Sequence, residues 1–472
     1  MGRKKQGNVV GKNVSSKNSE KLQNPFKVIK DVFKDGDIVT KLSFLILGFG
    51  NLCRGQIVKG MLYLLMECGF IFYLFTFGAA ALGKLVSLGT VQQSKVYNET
   101  TGIYDVIKGD NSMLCLLYGV TAAVIILLFL CIWYSGIKSA LKVQELKNSK
   151  KKIPGFVDDI KSLFDQGAHK TLLFLPSMGL LVFTIMPLIF MFLMAFTNFD
   201  SDHQPPGNLF TWVGMKNFRT ILLSGEKIGK TFWPIFGWTL IWAVFATFLN
   251  YIFGMLLAIL INKKEIKLKK LWRTIFVLSI AVPLFVSLLA IHLILADSGS
   301  LNILLQELGF IDKALPFWTD ATWARVTVII VNLWVGIPHT MLITTGILMN
   351  IPSDLYESAK IDGAGPATIF FKITLPYMLF VTTPYLITQF ISNINNFNVI
   401  YFLSAGAPLT VDYYKGAGKT DLLVTWLYKL TVDNKDYCYA ATIGILIFVI
   451  CSTFSLLTYR RTNSYKNEEG FQ

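Results

Sequence analysis

Long runs of apolar residues constrain this chain more than any other feature. About eight stretches contain roughly 20 or more mostly apolar residues, which is the length that lets an α-helix cross the hydrocarbon core of a bilayer. They are residues 60–83, 113–135, 171–198, 236–262, 274–296, 324–349, 378–402 and 439–459. Charged residues make up only 15% of the chain, whereas soluble domains carry about 25%. The sequence therefore predicts an all-α polytopic membrane protein.

Basic residues alternate along the chain, which has a formal net charge of +15. Lysines and arginines crowd the N-terminal tail and recur after the second, fourth and last apolar runs. Every second loop is therefore basic, as in loops that stay on the cytoplasmic side of a membrane. We expect a multi-pass protein of a bacterial cell membrane with both termini in the cytoplasm, and no nucleic-acid binding.

The chain divides into three parts on this pattern. Residues 1–40 form a polar, lysine-rich tail that we expect to be cytosolic and disordered. Residues 41–170 contain an interfacial segment at Leu42–Leu52, two accessory transmembrane helices and a basic linker. Residues 171–472 contain six transmembrane helices and the longer outer loops.

A polar island at residues 351–377 separates the sixth and seventh apolar runs. Ser353 and Asp354 are favourable N-cap residues, and they predict a helix that ends at Ile361. Gly363 suits the left-handed conformation that follows the end of such a helix.

Two prolines bound the rest of the island. Pro366 suits the first position of a second helix, because the N–H that proline lacks would be unpaired there anyway. Pro376 is expected to end that second helix, since proline disrupts a helix interior. The island therefore predicts a helix–turn–helix knob that stands outside the bilayer.

The spacing within the island resembles the coupling loop of permease subunits of ATP-binding-cassette (ABC) importers. The shared pattern is a glutamate, a glycine six residues later, and then an Ile-x-Leu-Pro sequence. In that family the knob sits in a groove of the ATPase and passes its motion to the membrane helices. The resemblance assigns this coupling role to Glu357, Ser358, Ala359, Asp362, Gly363, Ile373, Leu375 and Pro376.

Further motifs resemble the MalF-type subunit of maltose and maltodextrin importers. They are Asp362–Pro366, Phe370–Pro376, Asn395–Asn398 and Thr420–Val424. Members of that type have eight spans, six of which form an ABC type I importer permease core. The resemblance implies a second, MalG-like permease, two ABC ATPase subunits that bind ATP and Mg²⁺, an extracytoplasmic sugar-binding protein and an oligosaccharide substrate. This chain itself would be a non-catalytic membrane subunit without a bound cofactor.

The outer loops depart from the best-known members of that type. The stretch 84–112 is short, and the stretch 199–235 is too short to hold the large external domain that some members insert. The binding protein is therefore expected to dock on smaller loops.

The seventh apolar run is unusually rich in side-chain amides, which are Gln389, Asn393, Asn395, Asn396 and Asn398. Three of them, Gln389, Asn393 and Asn396, are spaced four and then three residues apart, so we expect them on one face of a helix. Amides are costly in lipid, so these should face a cavity or a partner helix. A sugar site and interhelical bonding both fit this pattern.

The MalF resemblance places sugar contacts on the sixth and seventh spans. The matching positions are Gly336, His339, Gln389, Ser392, Asn393 and Asn396. His339 stands where the maltose-type subunit has a tyrosine, and Gln389 stands where it has a smaller hydroxyl residue. A maltodextrin-like sugar is the first expectation, and a galacto-oligosaccharide or multiple-sugar permease is the alternative.

Other classes of membrane protein have weaker support. An ion-coupled secondary transporter would need a carboxylate within the core spans, and Glu67 lies in the accessory first run. A membrane enzyme would need paired carboxylates or a metal cluster, and Asp158 and Asp159 lie in the basic linker. The segment Gly416–Thr420 is similar to the end of a phosphate-binding P-loop, but Tyr413 occupies the position of its first glycine. We assign no catalytic or metal-binding residue.

Overall fold

The computed structural model describes residues 25–460 apart from Gln166 and Lys264. In chain order its helices are α1 Pro25–Asp35, α2 Ile38–Leu42, α3 Phe49–Leu52, α4 Ile57–Tyr73, α5 Ala79–Ser87, α6 Ser112–Asn148, α7 Phe156–Phe164, α8 Ala168–Leu180, α9 Met186–Met194, α10 Lys216–Leu223, α11 Lys227–Asn262, α12 Lys269–Ala281, α13 Leu284–Ile294, α14 Ser300–Glu307, α15 Ala321–Leu348, α16 Ser353–Ile361, α17 Pro366–Ile369, α18 Leu375–Ile394, α19 Phe397–Leu403, α20 Leu423–Tyr428 and α21 Tyr437–Arg460. Strands β1 Ser94–Asn98 and β2 Ile103–Ile107 form an antiparallel hairpin. Short π-helical turns occur at Leu74–Gly78, Leu181–Ile185, Phe370–Thr374 and Lys429–Asp433.

Within the described residues, seven helical stretches are long and apolar enough to cross a membrane, and a bent helix pair makes an eighth candidate if its two helices form one broken span. Span 1 is Ile57–Ser87, span 2 Ser112–Asn148, span 3 Ala168–Met194, span 4 Lys227–Asn262, span 5 the pair Lys269–Ala281 and Leu284–Ile294, span 6 Ala321–Leu348, span 7 Pro366–Leu403 and span 8 Tyr437–Arg460. Each coincides with one of the eight predicted apolar runs. The predicted class of polytopic helical membrane protein is therefore confirmed, with the β1–β2 hairpin as a small addition.

Span 5 is broken in its middle. Its two helices are bent by 87° relative to each other. Val282 has extended backbone angles, and Pro283 immediately precedes α13. Proline disfavours a helical conformation in the residue before it and lacks a backbone donor, so the local sequence accounts for the break.

The described part forms two compact units, and the division falls inside span 3. Unit 1 takes the residues up to Gly89 together with Met113–Leu188. Unit 2 takes Thr90–Ser112 and the residues from Ile189 onward.

In unit 1, a buried arginine organises the segment that leads into span 1. The Arg54 guanidinium donates to Asp37 Oδ1 at 2.6 Å and to Thr40 Oγ1 at 2.6 Å. It also donates to the carbonyl oxygen of Ala140 in α6 at 3.1 Å. The expectation of disorder through residue 40 was wrong for the described part, because α1 and α2 are helical there.

In unit 2, α11 packs closely along α15 where small residues permit it. A Cβ on Gly254 would lie 2.6 Å from Thr340 Cβ. A Cβ on Gly336 would lie only 2.2 Å from Asn250 Nδ2. Such glycines let membrane helices approach each other closely.

The loop between spans 7 and 8 is held by a buried ion pair. Lys429 Nζ donates to Asp421 Oδ2 at 2.7 Å, and Asp421 is fully buried. The backbone N–H of Gly418 donates to the same carboxylate at 2.7 Å. In the segment that resembles a P-loop, the backbone N–H of Gly418 is therefore already bonded to a carboxylate of this chain.

Candidate functional site

The first helix of the knob follows the prediction in extent but not in capping. Helix α16 runs from Ser353 to Ile361, and Gly363 has a φ of +74°, which is the left-handed conformation expected of it. Ser353 and Asp354 do not cap this helix, however. Pro352 holds the N-cap position without a side-chain bond, and Ser353 Oγ instead donates to Asp354 Oδ1 at 3.3 Å.

The second helix of the knob is not ended by Pro376, so that prediction was wrong. Pro366 opens α17 as expected. A π-helical turn at Phe370–Thr374 then leads directly into α18, and span 7 runs from Pro366 to Leu403. Proline normally clashes with the carbonyl four residues earlier. The wider π-turn just before Pro376 alters that register and lets the helix continue.

The predicted coupling residues lie together on the knob and at its junction with span 7. Glu357, Ser358, Asp362, Gly363 and Pro376 are exposed. Ala359, Ile373 and Leu375 are half-buried. Ile361, the last residue of α16, is also exposed, with 85% of its side chain accessible.

The knob is tied to the start of span 7 by a hydrogen bond. The hydroxyls of Tyr356 on α16 and Thr374 in the π-turn are 3.2 Å apart. Behind the knob lies a cavity of about 510 Å³, which Tyr356, Glu357, Lys360 and Phe370 help to line. The knob is thus an exposed body that is attached to span 7 both by the chain and by a side-chain contact.

A second site lies between α11, α15 and α18. Four of the six predicted sugar-binding residues meet there, namely Gly336, His339, Gln389 and Asn393. The full lining is Ala246, Thr247, Asn250, Tyr251, Gly336, His339, Thr340, Tyr385, Leu386, Gln389 and Asn393. The cavity has a volume of about 50 Å³, and one water molecule occupies about 30 Å³ in the liquid. In this conformation of the single chain, it is therefore too small for a sugar ring.

Asn393 takes part in helix packing as well as in lining the cavity. Its Nδ2 donates to Thr247 Oγ1 on α11 at 2.9 Å. Its backbone carbonyl oxygen accepts a hydrogen bond from Trp242 Nε1 at 3.1 Å. The two interpretations of this amide, cavity lining and interhelical bonding, therefore apply to the same side chain.

Asn396 does not share a helical face with Gln389 and Asn393, so that expectation was wrong. Helix α18 ends at Ile394, and Asn396 is the N-cap of α19. Its Oδ1 accepts a hydrogen bond from the N–H of Val399 at 3.2 Å. Asparagine favours this role because its short side chain reaches the free N–H groups of the first helical turn. Ser392 is exposed and lies outside the cavity lining.

Span 4 supplies cavity residues that the sequence analysis did not single out. Thr247, Asn250 and Tyr251 all belong to α11. Asn250 was the available signal, because an amide within a long apolar run is costly unless it faces a cavity or another helix. The site therefore draws on three helices, whereas the sequence pointed to two.

Seven or eight candidate membrane spans, an exposed knob and a polar cavity between α11, α15 and α18 fit a membrane transport protein. Residues 250–463 match the family described as binding-protein-dependent transport system inner membrane component. The chain is 33% identical over 435 residues to the galactooligosaccharides transport system permease protein GanP of Bacillus subtilis, covering 91% of this chain and 99% of that protein. It is 34% identical over 433 residues to the maltodextrin transport system permease protein MdxF of the same organism, covering 90% and 95%.

The similarity also extends to MalF of Salmonella typhimurium, a maltose/maltodextrin transport system permease protein. Here the identity is 38% over 269 residues, or 56% of this chain and 52% of MalF. The chain belongs to the family of binding-protein-dependent ABC importer permeases and is MalF-like. Membership in this family makes it a non-catalytic transport subunit of the inner membrane.

A solved structure agrees with the fold. The bacterial alginate ABC transporter in complex with an alginate pentasaccharide-bound periplasmic protein contains a chain that aligns with a TM-score of 0.50 at 21% identity. The alignment covers 65% of this chain and 97% of that one. At this identity the likeness shows the fold alone.

Proposed function

We propose that this chain is the permease subunit of an ATP-driven importer for neutral oligosaccharides. The observation that carries the proposal is the chemistry of the cavity between α11, α15 and α18. Among the described residues that line it, none is Asp, Glu, Lys or Arg, whereas amides and hydroxyls are frequent. Such groups pair with sugar hydroxyls without a net charge. A secondary transporter that moves with protons or cations would need an acidic residue in the membrane, so the cavity favours the sugar.

Two relatives that align with most of this chain are named for different sugars, one for maltodextrin and one for galactooligosaccharides. Identities of 34% and 33% do not separate them. His339 and Gln389 lie on the cavity wall and differ in type from the maltose-type residues at these positions, so the choice of sugar depends on them in our proposal. We keep maltodextrin-like sugars as the first candidate and galacto-oligosaccharides as the second.

The proposed mechanism uses the continuity between the knob and span 7. Two ATPase subunits that bind ATP and Mg²⁺ close beneath the membrane and move the exposed residues around Glu357 and Gly363. Pro366 begins the same span that carries Gln389, 23 residues later. At 1.5 Å per helical residue these positions are about 35 Å apart. Motion of the knob therefore shifts the cavity wall, and a second, MalG-like permease would line the remainder of the path.

The proposed orientation places the knob and both termini in the cytoplasm. The basic loop after span 4 and the knob after span 6 lie on one side only if the bent pair of span 5 crosses the membrane. A re-entrant pair would put them on opposite sides. The alternation of basic loops supports the crossing.

Cysteine labelling of intact cells tests this orientation. In a variant without native cysteines, Ser353→Cys should resist an impermeant thiol reagent, and Ser201→Cys should react with it. Both serines are exposed, so burial does not explain a difference. Labelling of Ser353→Cys from outside would invert the orientation or make span 5 re-entrant.

Uptake by the complete transporter tests the function. The chain, the second permease and the ATPases are reconstituted in vesicles, and the sugar-binding protein is added with radiolabelled maltotriose or a galacto-trisaccharide. We expect ATP-dependent accumulation of at least one of the two sugars. Accumulation that follows an ion gradient without ATP, or no accumulation of either sugar, contradicts the proposal.

A further inference from the structure

Asn250 is one of the residues that line the cavity between α11, α15 and α18, and its side chain holds an unpaired polar atom. Its Nδ2 donates to the carbonyl oxygen of Ala246, four residues earlier on α11, at 2.7 Å. Its Oδ1 is buried and has no hydrogen-bond partner among the described residues. Because a buried acceptor without a partner is unfavourable, a donor from outside the described residues would stabilise this oxygen.

Packing holds the Asn250 amide in one orientation. A Cβ on Gly336 would lie 2.2 Å from Asn250 Nδ2 and 2.7 Å from Oδ1, so the amide lies directly against the α15 backbone. The amide can bond to the carbonyl oxygen of Ala246 only through its Nδ2 end, because the Oδ1 end is an acceptor. The orientation of the amide therefore leaves its acceptor atom unsatisfied.

Asn262 shows what a satisfied amide looks like on the same helix. Its Nδ2 donates to the carbonyl oxygen of Ala258 at 2.8 Å, which repeats the bond made by Asn250. Its Oδ1, however, accepts a hydrogen bond from the Arg273 guanidinium. The two asparagines share a local geometry and differ in whether the chain itself completes their hydrogen bonding.

We propose that Asn250 Oδ1 accepts a hydrogen bond from a hydroxyl of the transported sugar. This inference rests on the proposed oligosaccharide transport, and it makes span 4 a sugar-binding helix beside spans 6 and 7. Every sugar hydroxyl is a hydrogen-bond donor, so the ligand supplies the group that the oxygen lacks. Asn250 then contributes to affinity when the cavity widens enough to admit the ligand.

Direct binding of sugar to the assembled transporter tests the proposal. Purified complexes with both permeases and both ATPases are equilibrated with radiolabelled maltotriose or a galacto-trisaccharide, whichever the wild-type complex transports. The binding protein is left out, because its own affinity would mask that of the permease. Asn250→Leu, which keeps the size but removes the acceptor, should weaken binding by about tenfold.

Asn262→Leu is the matched control. It removes the same side chain from the same helix, 12 residues or about 18 Å away. We expect it to leave the sugar affinity unchanged, even if it alters the transport rate.

Each outcome separates the inference from the function on which it rests. If the wild-type complex neither transports nor binds either of the two sugars, the proposed function fails. If the wild type binds sugar and Asn250→Leu binds it equally well, only the assignment of Asn250 is overturned. If Asn250→Leu instead lowers the yield of assembled complex at unchanged affinity, Asn250 acts in packing or assembly and the assignment is again overturned.

Discussion

The knob and the cavity differ in how the chain builds them. The knob is one continuous segment, and its shape depends on local features such as the positive φ of Gly363. The cavity combines residues as far apart as Asn250 and Asn393, and its polar groups are set by contacts between helices. A change in the knob should therefore act through backbone conformation or partner contact, whereas a change in the cavity should act through packing and hydrogen bonding.

Gly363→Val should have the largest effect and tests the local character of the knob. A side chain at Gly363 meets no atom within 4 Å, so the cost is the left-handed backbone alone. This conformation costs non-glycine residues roughly 1–2 kcal/mol, and a β-branched residue fits it poorly. We expect uptake to collapse at a normal amount of assembled complex, through the distorted turn.

Gly365→Val is the matched control for this turn. Gly365 also has open space around it, but its φ is −70°. It should retain most of the uptake. Equal loss in both variants would show that bulk against the ATPase, rather than the backbone conformation, decides the effect.

Asn393→Ala and Asn396→Ala test whether the two amides have the different roles that their contacts indicate. Asn393→Ala removes a cavity amide and should lower uptake per assembled complex by one to two decades, corresponding to about 1–3 kcal/mol. Asn396→Ala removes a helix cap, which costs about 1 kcal/mol of stability. It should lower the amount of complex more than the uptake per complex. Uptake and complex are measured in the same cells, and unchanged uptake per complex in Asn393→Ala would remove Asn393 from the site.

Gly336→Ala tests the packing that forms the cavity wall. Its Cβ would lie 2.2 Å from Asn250 Nδ2, whereas a Cβ on Gly346 of the same helix meets nothing within 4 Å. Overpacking of this kind costs about 1–3 kcal/mol. Thermal unfolding of the purified chain in detergent should show destabilisation by Gly336→Ala and none by Gly346→Ala. Equal unfolding temperatures would mean that α11 and α15 do not pack this tightly.

Asp37→Asn lies outside both regions and should have the smallest effect. Burial alone would raise the pKa of the Asp37 carboxyl, but hydrogen bonds from Arg54 and Thr40 lower it from 3.8 to about 2. The carboxylate is 49% exposed, so solvent screening reduces its contribution to about 1 kcal/mol or less.

The pH dependence of that effect follows from the lowered pKa. A lowered folded-state pKa stabilises the protein above the unfolded value of 3.8, and the contribution is lost as the pH falls to about 2. The difference in unfolding temperature between wild type and Asp37→Asn should stay constant from about pH 8 to 5 and shrink below about pH 4. A difference that grows on acidification would contradict the ion pair with Arg54.

The amino-acid sequence by itself determined the spans and the turn of the knob. Apolar length decides whether a helix can cross a membrane, and a glycine with a positive φ ends α16 without help from distant residues. The break in span 5 belongs to the same group, because Pro283 acts on its immediate neighbours. These features depend on bond geometry and on the transfer of side chains into lipid, both of which are local.

Only the tertiary structure decided the roles of individual polar residues. Pro376 was expected to end a helix, but a π-turn accommodates it and joins the knob to span 7. Asn396 has the helical spacing of a site residue but caps α19, and Asn250 gained its candidate role through its contact with Gly336. A side-chain amide can bond to its own helix, to another helix or to a ligand at similar free energy. The choice among them therefore depends on which backbone lies nearby, and spacing along the chain does not contain that information.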